Sequence, residues 1–65
     1  MPTLEEREAA IRARCTEFAA QQLAQLRRHP RFPDVLTYLE GIPNTLYELD
    51  VEHAIQEILK PGRRP

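Results

Sequence analysis

The side chains best suited to chemistry in this chain are one cysteine, two histidines and ten carboxylates. Cys15 would be a nucleophile only with a lowered pKa and partial exposure. It lies instead at helical spacing with Ile11 and Phe18, on an apolar stripe. A cysteine in such a stripe behaves as a small hydrophobic residue. We therefore predict a structural role for Cys15.

The two histidines do not suggest a metal site. Zinc takes three or four ligands, which usually occur as closely spaced pairs. Cys15, His29 and His53 are far apart in the sequence, and no two of them share a helical turn. We interpret His29 as a cation at the end of the first helix, where the helix dipole is negative. His53 falls on the polar face of the last helix.

The carboxylates do not suggest catalysis. General acid–base catalysis needs a carboxyl with a shifted pKa inside a cleft. The runs around Glu5 and around Glu48 occupy positions that are typical of helix caps and solvated faces. The chain has no serine and only two glycines, so it has no material for a phosphate-binding loop or a nucleophile elbow. We predict a protein that is not an enzyme, with no catalytic residue, no metal and no cofactor.

The arginines support an alternative function, that of a nucleic-acid-associated regulator. Clustered arginines near an aromatic residue can bind a phosphate backbone and stack on a base. The stretch from Asp34 to Glu57, however, contains six acids and no Lys or Arg, and the net charge is −1. These acids would repel phosphate, so we keep this function as the alternative. The arginines concerned are Arg27, Arg28, Arg31, Arg63 and Arg64.

Helical periodicity predicts an all-α fold in which one long helix spans residues 3–28. Residues 3–6 match the capping box, and Pro30 forbids continuation of the helix. One face of this helix is a broad apolar stripe, and a second face is a line of small residues that would admit a neighbouring helix. The stripe comprises Leu4, Ile11, Cys15, Phe18, Ala19, Leu23 and Leu26, and the small residues are Ala9, Ala13, Thr16, Ala20 and Ala24.

Two further helices are predicted after a stiff Pro30–Pro33 linker. The first spans residues 34–40, with Asp34 as its N-cap and Gly41 as a left-handed stop.

The second of these helices spans residues 45–60 and begins with a capping box at Thr45. It has an apolar stripe, and Leu46 and Leu49 lie off that stripe, which favours a break near Asp50. In that alternative, Asp50 would cap a fresh helix start. The stripe is formed by Val51, Ala54, Ile55, Ile58 and Leu59. Residues 61–65 are predicted to be a frayed tail of one domain that spans residues 1–65.

Small size favours a protein partner. A domain of this length buries only about 60% of the surface that its unfolded chain exposes, and a single cysteine allows no internal disulfide. We predict a protein–protein interaction module that forms a homodimer through its first helix, docks on or regulates a larger protein, or does both. Gln22, with Glu8 as a second candidate, would lie near the seam and set the register. The predicted interface residues are Ala13, Ala20, Gln22, Leu23, Leu26 and Phe32, and Tyr38 and Tyr47 are further candidates.

The expected location is the cytoplasm. No apolar run approaches the roughly 20 residues that a membrane span needs. Residues 1–6 are acidic and lack the basic and apolar regions of a signal peptide. We therefore expect no membrane contact.

Overall fold

The computed structural model describes residues 1–59, which form four α-helices and a π-helix. The helices are α1 (Leu4–Arg14), α2 (Glu17–Gln25), α3 (Phe32–Glu40) and α4 (Glu48–Ala54), and α4 continues into the π-helix Ile55–Leu59. The all-helical prediction is confirmed, because this part of the chain contains no strand. None of these helices is long and apolar enough to cross a membrane. The predicted tail, residues 61–65, lies outside the described residues.

The predicted single helix over residues 3–28 is wrong. Its start is correct, since Thr3 and Glu6 form the expected capping box, with bonds of 2.8 and 3.1 Å. The helix nevertheless ends at Arg14, because Cys15 has an extended backbone, with φ of −86° and ψ of 151°. The first half of the chain is therefore two helices joined at a sharp break.

A contact with a distant part of the chain produces this break. The Leu46 N–H donates to the carbonyl of Arg14, and the Thr16 N–H donates to the carbonyl of Leu46, both at 2.9 Å. These bonds take the place of helical bonds, so the backbone groups at the break are satisfied. The Thr16 hydroxyl then accepts a bond from the Ala19 N–H at 3.3 Å and caps α2.

The third helix starts earlier than the predicted residue 34. Phe32 is its first residue and lies in the core, 1% exposed. Asp34 is therefore not an N-cap, and its carboxylate accepts a bond from Arg31 Nε at 3.0 Å. Gly41 has a φ of −77°, so the predicted left-handed stop is also wrong.

The fourth helix starts later than the predicted residue 45. It begins at Glu48, and the Asp50 carboxylate caps it by accepting a bond from the Tyr47 N–H at 2.8 Å. The predicted capping box at Thr45 is therefore wrong, because a different pair of residues caps the helix. Asp50 lies in the first turn, so the helix starts afresh near Asp50 and the Asp50 carboxylate caps that start, although the N-cap residue itself is Tyr47.

The core is made from all four helices and from the bridge. Leu46 is off the helical stripe because it enters the core before α4 begins, as the partner of Cys15 in the bridge. The stripe predicted for the last helix is confirmed, since its members are buried or packed against the core. The buried apolar residues are Ile11, Ala19, Leu23, Phe32, Val35, Leu36, Leu39, Leu46, Val51 and Ala54.

Candidate docking surface

One side of the molecule, formed by α1, α3 and the turn after α2, is held together by ion pairs. We call it the paired side. Glu8, on this side, is the one buried acidic residue in the described part of the chain and is 5% exposed. Its carboxylate accepts bonds from Arg12 Nη1 at 2.9 Å and from Arg27 Nε at 3.0 and 3.1 Å. Such charge-assisted bonds satisfy a carboxylate that burial would otherwise destabilise.

A pocket of about 450 Å³ opens beside this cluster. Its wall includes both arginines and Glu8, together with the apolar Leu4 and Phe32. Because the two guanidinium groups already bond to the carboxylate, the charges in this pocket are largely matched within the chain. We interpret the cluster as a structural element that joins α1 to the turn after α2.

Two more ion pairs complete the paired side. Arg7 of α1 binds both carboxylate oxygens of Glu40 on α3, each at 2.9 Å, and also donates to the Thr37 hydroxyl. This hydrogen-bonded pair lowers the pKa of Glu40 and raises that of Arg7. Arg31 pairs with Asp34 and also donates to the carbonyl of Ile58 at 3.1 Å.

These contacts engage two of the three described arginines that the alternative function would need. Arg27 is bound to Glu8, and Arg31 is bound to Asp34. Arg28 is exposed and forms no ion pair with any of residues 1–59. The remaining two members of the predicted set, Arg63 and Arg64, lie outside the described residues.

The residues first considered for chemistry occupy structural positions. Cys15 is half-buried against the core, and burial raises the pKa of its thiol despite the nearby Arg14 and Arg12. His29 is not at a helix end as predicted, because α2 stops at Gln25. His29 Nδ1 instead accepts a bond from the Arg31 N–H at 3.0 Å.

His53 lies exposed on α4, as its position on the polar face predicts. Among residues 1–59, no group of three or more His, Cys, Asp or Glu is placed to hold a metal ion.

A second surface of the molecule is formed by α2 and α4, which pack against each other and start side by side. The parallel bridge between Cys15 and Leu46 aligns the two chain segments just before both helices begin. Gln22 Nε2 then reaches Glu48 Oε2 at 3.5 Å, which marks the side on which the two helices present a common surface.

This common surface, which we call the α2–α4 face, combines exposed apolar and acidic side chains. Residues three or four apart on a helix are neighbours, so Phe18 lies beside Gln22, and Leu49 lies beside Glu52, which follows Glu48 by one turn. Phe18 is 64% exposed and Leu49 is 59% exposed. Tyr47, at the edge of the face, is 57% exposed.

The charges of the α2–α4 face are unmatched. Glu17, Glu48 and Glu52 are exposed, and none of them forms an ion pair within the described part of the chain. Neither α2 nor α4 contains a lysine or an arginine. The amide oxygen of Gln22 is also buried without a hydrogen-bond partner among these residues. This face therefore has both polar and apolar groups without partners.

The predicted interface residues do not form one surface. Leu23 is fully buried and Phe32 is 1% exposed, so neither side chain is available on the surface of the folded chain. Leu26 packs partly against the core, and Ala20 is half-buried. Ala13 is exposed on α1.

Gln22 is half-buried on the α2–α4 face, and its side chain bonds to Glu48 of the same chain. Tyr38, the other aromatic candidate, is 37% exposed on α3.

The sequence prediction missed Phe18 and Leu49 as surface candidates. The sequence places Phe18 on the apolar stripe only when the stripe is counted through a continuous helix, and the break at Cys15 changes the direction of the side chains in α2. Leu4, assigned to the same stripe, is also 42% exposed. The position of Leu49 off the stripe was only part of a signal, because Leu46, off the same stripe, is fully buried.

Comparison with known proteins gives no match: no family model, no curated protein and no solved structure is significantly similar to this chain.

Proposed function

We propose that this chain is a small protein-docking module that binds another protein through the α2–α4 face. The observation that supports the proposal most is the joint exposure of Phe18 and Leu49 on two adjoining helices. Single exposed apolar residues are common, but large apolar side chains that share a surface are typical of interaction sites. Aromatic residues such as Phe18 and Tyr47 also contribute strongly to binding when a partner covers them.

The face is preorganised for docking. The bridge to Leu46 joins the segments that precede the two helices, and the contact between Gln22 and Glu48 joins the second turn of α2 to the start of α4. A partner would therefore meet a surface that needs little reordering on binding, which reduces the entropy cost of association.

Self-association remains a prediction, in a changed form. Two continuous first helices cannot pack along their length, because each is broken at Cys15. A homodimer would have to use the α2–α4 face itself or the exposed alanines of α1. The same measurement separates these possibilities.

The proposal is tested with a double variant, Phe18→Ser with Leu49→Ser, compared with the natural chain. The control variant, Leu4→Ser with Tyr38→Ser, removes two exposed apolar side chains outside the face. Each protein is used to capture partners from an extract of its native host, and its own mass is measured by sedimentation. We expect a partner, or a dimer, that is retained by the control and lost with the face variant. Equal capture by both variants, or a dimer that survives in both, would contradict the proposal.

A further inference from the structure

We infer that the occupant of the α2–α4 face is a segment of another protein that carries apolar side chains flanked by lysine or arginine. This inference rests on the proposed function and specifies the class of partner. The supporting observation is that exposed apolar side chains and carboxylates without ion-pair partners occur on the same surface.

The apolar part of the face supplies the anchor for such a segment. Phe18 lies one turn before Gln22 on α2, and Leu49 follows Glu48 on α4, so the two exposed side chains belong to the two helices that the contact between Gln22 and Glu48 joins. A partner side chain placed there would cover apolar surface from both helices at once. Burial of this surface would supply most of the affinity.

The exposed carboxylates of the face determine the charge of the segment that can bind there. Glu48 and Glu52 are on the face, on the same helix as Leu49, and both are exposed without an ion-pair partner among residues 1–59. Glu17, at the start of α2, is a third exposed carboxylate without such a partner. Charges at the rim of an interface select partners of opposite sign and speed their association. An acidic segment or a nucleic acid would be repelled from the same surface.

A second copy of this chain fits less well. In a two-fold dimer the same surface meets itself, so Glu48 and Glu52 of one copy would approach their equivalents on the other. The described arginines that could relieve this repulsion are mostly engaged on the paired side, where Arg7, Arg12 and Arg27 bind acids. A heterologous partner with its own basic residues avoids the repulsion.

The inference is tested with two short amphipathic helical peptides of the same apolar pattern, one of leucine and lysine and one of leucine and glutamate. Each is titrated into the full chain while backbone amide signals are followed by NMR. We expect the lysine peptide to shift the signals of Phe18, Gln22 and Leu49, and to bind more weakly as salt rises. The glutamate peptide should bind at least about tenfold more weakly, given like-charge repulsion.

Matched charge variants make the test specific. Glu48→Gln with Glu52→Gln should weaken the lysine peptide by about three- to tenfold, as expected for two exposed ion pairs. Glu5→Gln with Glu57→Gln makes the same change in net charge outside the face and should leave binding unchanged. If both peptides bind the face equally, the charge inference is wrong and the docking proposal stands.

Other outcomes of these experiments would contradict the docking proposal itself. If the lysine peptide shifts signals only on the paired side, or if neither peptide binds and the face variant captures the same partners as the control, then the α2–α4 face is not a docking surface. A dimer that the face variant abolishes would support docking but would identify the occupant as a second copy, against this inference.

Discussion

The two sides of the molecule differ in whether their acidic side chains have ion-pair partners within the chain. On the paired side, Glu8, Asp34 and Glu40 each bind an arginine of the same chain. On the α2–α4 face, the carboxylates have no such partner among residues 1–59, and two large apolar side chains are exposed beside them. The first arrangement stabilises the fold, whereas the second leaves interactions open to another molecule. In this small chain, the charged and apolar groups without partners in the fold are therefore the ones available to another molecule.

The largest expected effect tests the division between core and face on α2. Leu23→Ala should lower the free energy of unfolding by about 2–5 kcal/mol, because it removes a fully buried side chain and leaves a cavity. Phe18→Ala should change it by no more than about 0.5 kcal/mol, since the side chain is mostly exposed. Chemical denaturation measures both values. Equal losses for the two variants would show that Phe18 is part of the core.

An intermediate effect tests the ion pairs of the paired side. Glu8→Gln replaces an acceptor of several guanidinium bonds with an amide that presents N–H groups to the same arginines. We expect a loss of about 1–3 kcal/mol, the range for hydrogen bonds to charged groups. The matched change Glu52→Gln, on the α2–α4 face, should stay within about 0.5 kcal/mol. A similar cost for both variants in urea denaturation would remove the distinction between the two sides.

The smallest effect is a pH dependence that is also confined to the paired side. The hydrogen bond from Arg7 lowers the pKa of Glu40 below its ordinary value of 4.5. A lowered pKa in the folded state stabilises the fold above the ordinary value, and this contribution is lost as pH falls through the lowered value. Because Glu40 is partly exposed, the effect is small.

Melting temperatures of the natural chain and of Glu40→Gln provide the measurement for that pH dependence. The natural chain should melt higher at neutral pH, and the difference should shrink toward zero in acid below pH 4.5. A difference that does not change with pH would show that the Glu40 charge contributes nothing through Arg7.

Local sequence signals predicted the parts of the fold that depend on neighbouring residues. The capping box at Thr3 and the apolar stripe beginning at Val51 are both found where periodicity and capping chemistry place them. The break at Cys15 depends on Leu46, which is remote in sequence, and no local pattern shows that contact. The start of α3 was missed because the burial of Phe32, a tertiary effect, outweighs the N-cap preference of Asp34.

The candidate face was harder to predict because it depends on that break. A stripe counted at 100° per residue is reliable only within one helix, and Phe18 follows the point where the count restarts. The acidic character of the second half was visible in the sequence, but its separation from the arginines is a property of the folded chain. The pairing of Arg27 with Glu8 likewise arises from a tertiary contact, whereas Arg31 pairs with Asp34 only three residues away.

The bridge between Cys15 and Leu46 also has a consequence for the order of folding. The first 25 residues contain strong helix formers, and the hydrogen bonds that interrupt them come from a residue that is synthesised much later. Until Leu46 arrives, the local Thr16 cap of α2 acts without the two backbone bonds that complete the break between α1 and α2. The bend that aligns α2 with α4 is then acquired in a late, long-range step, since contacts between distant residues require loop closure.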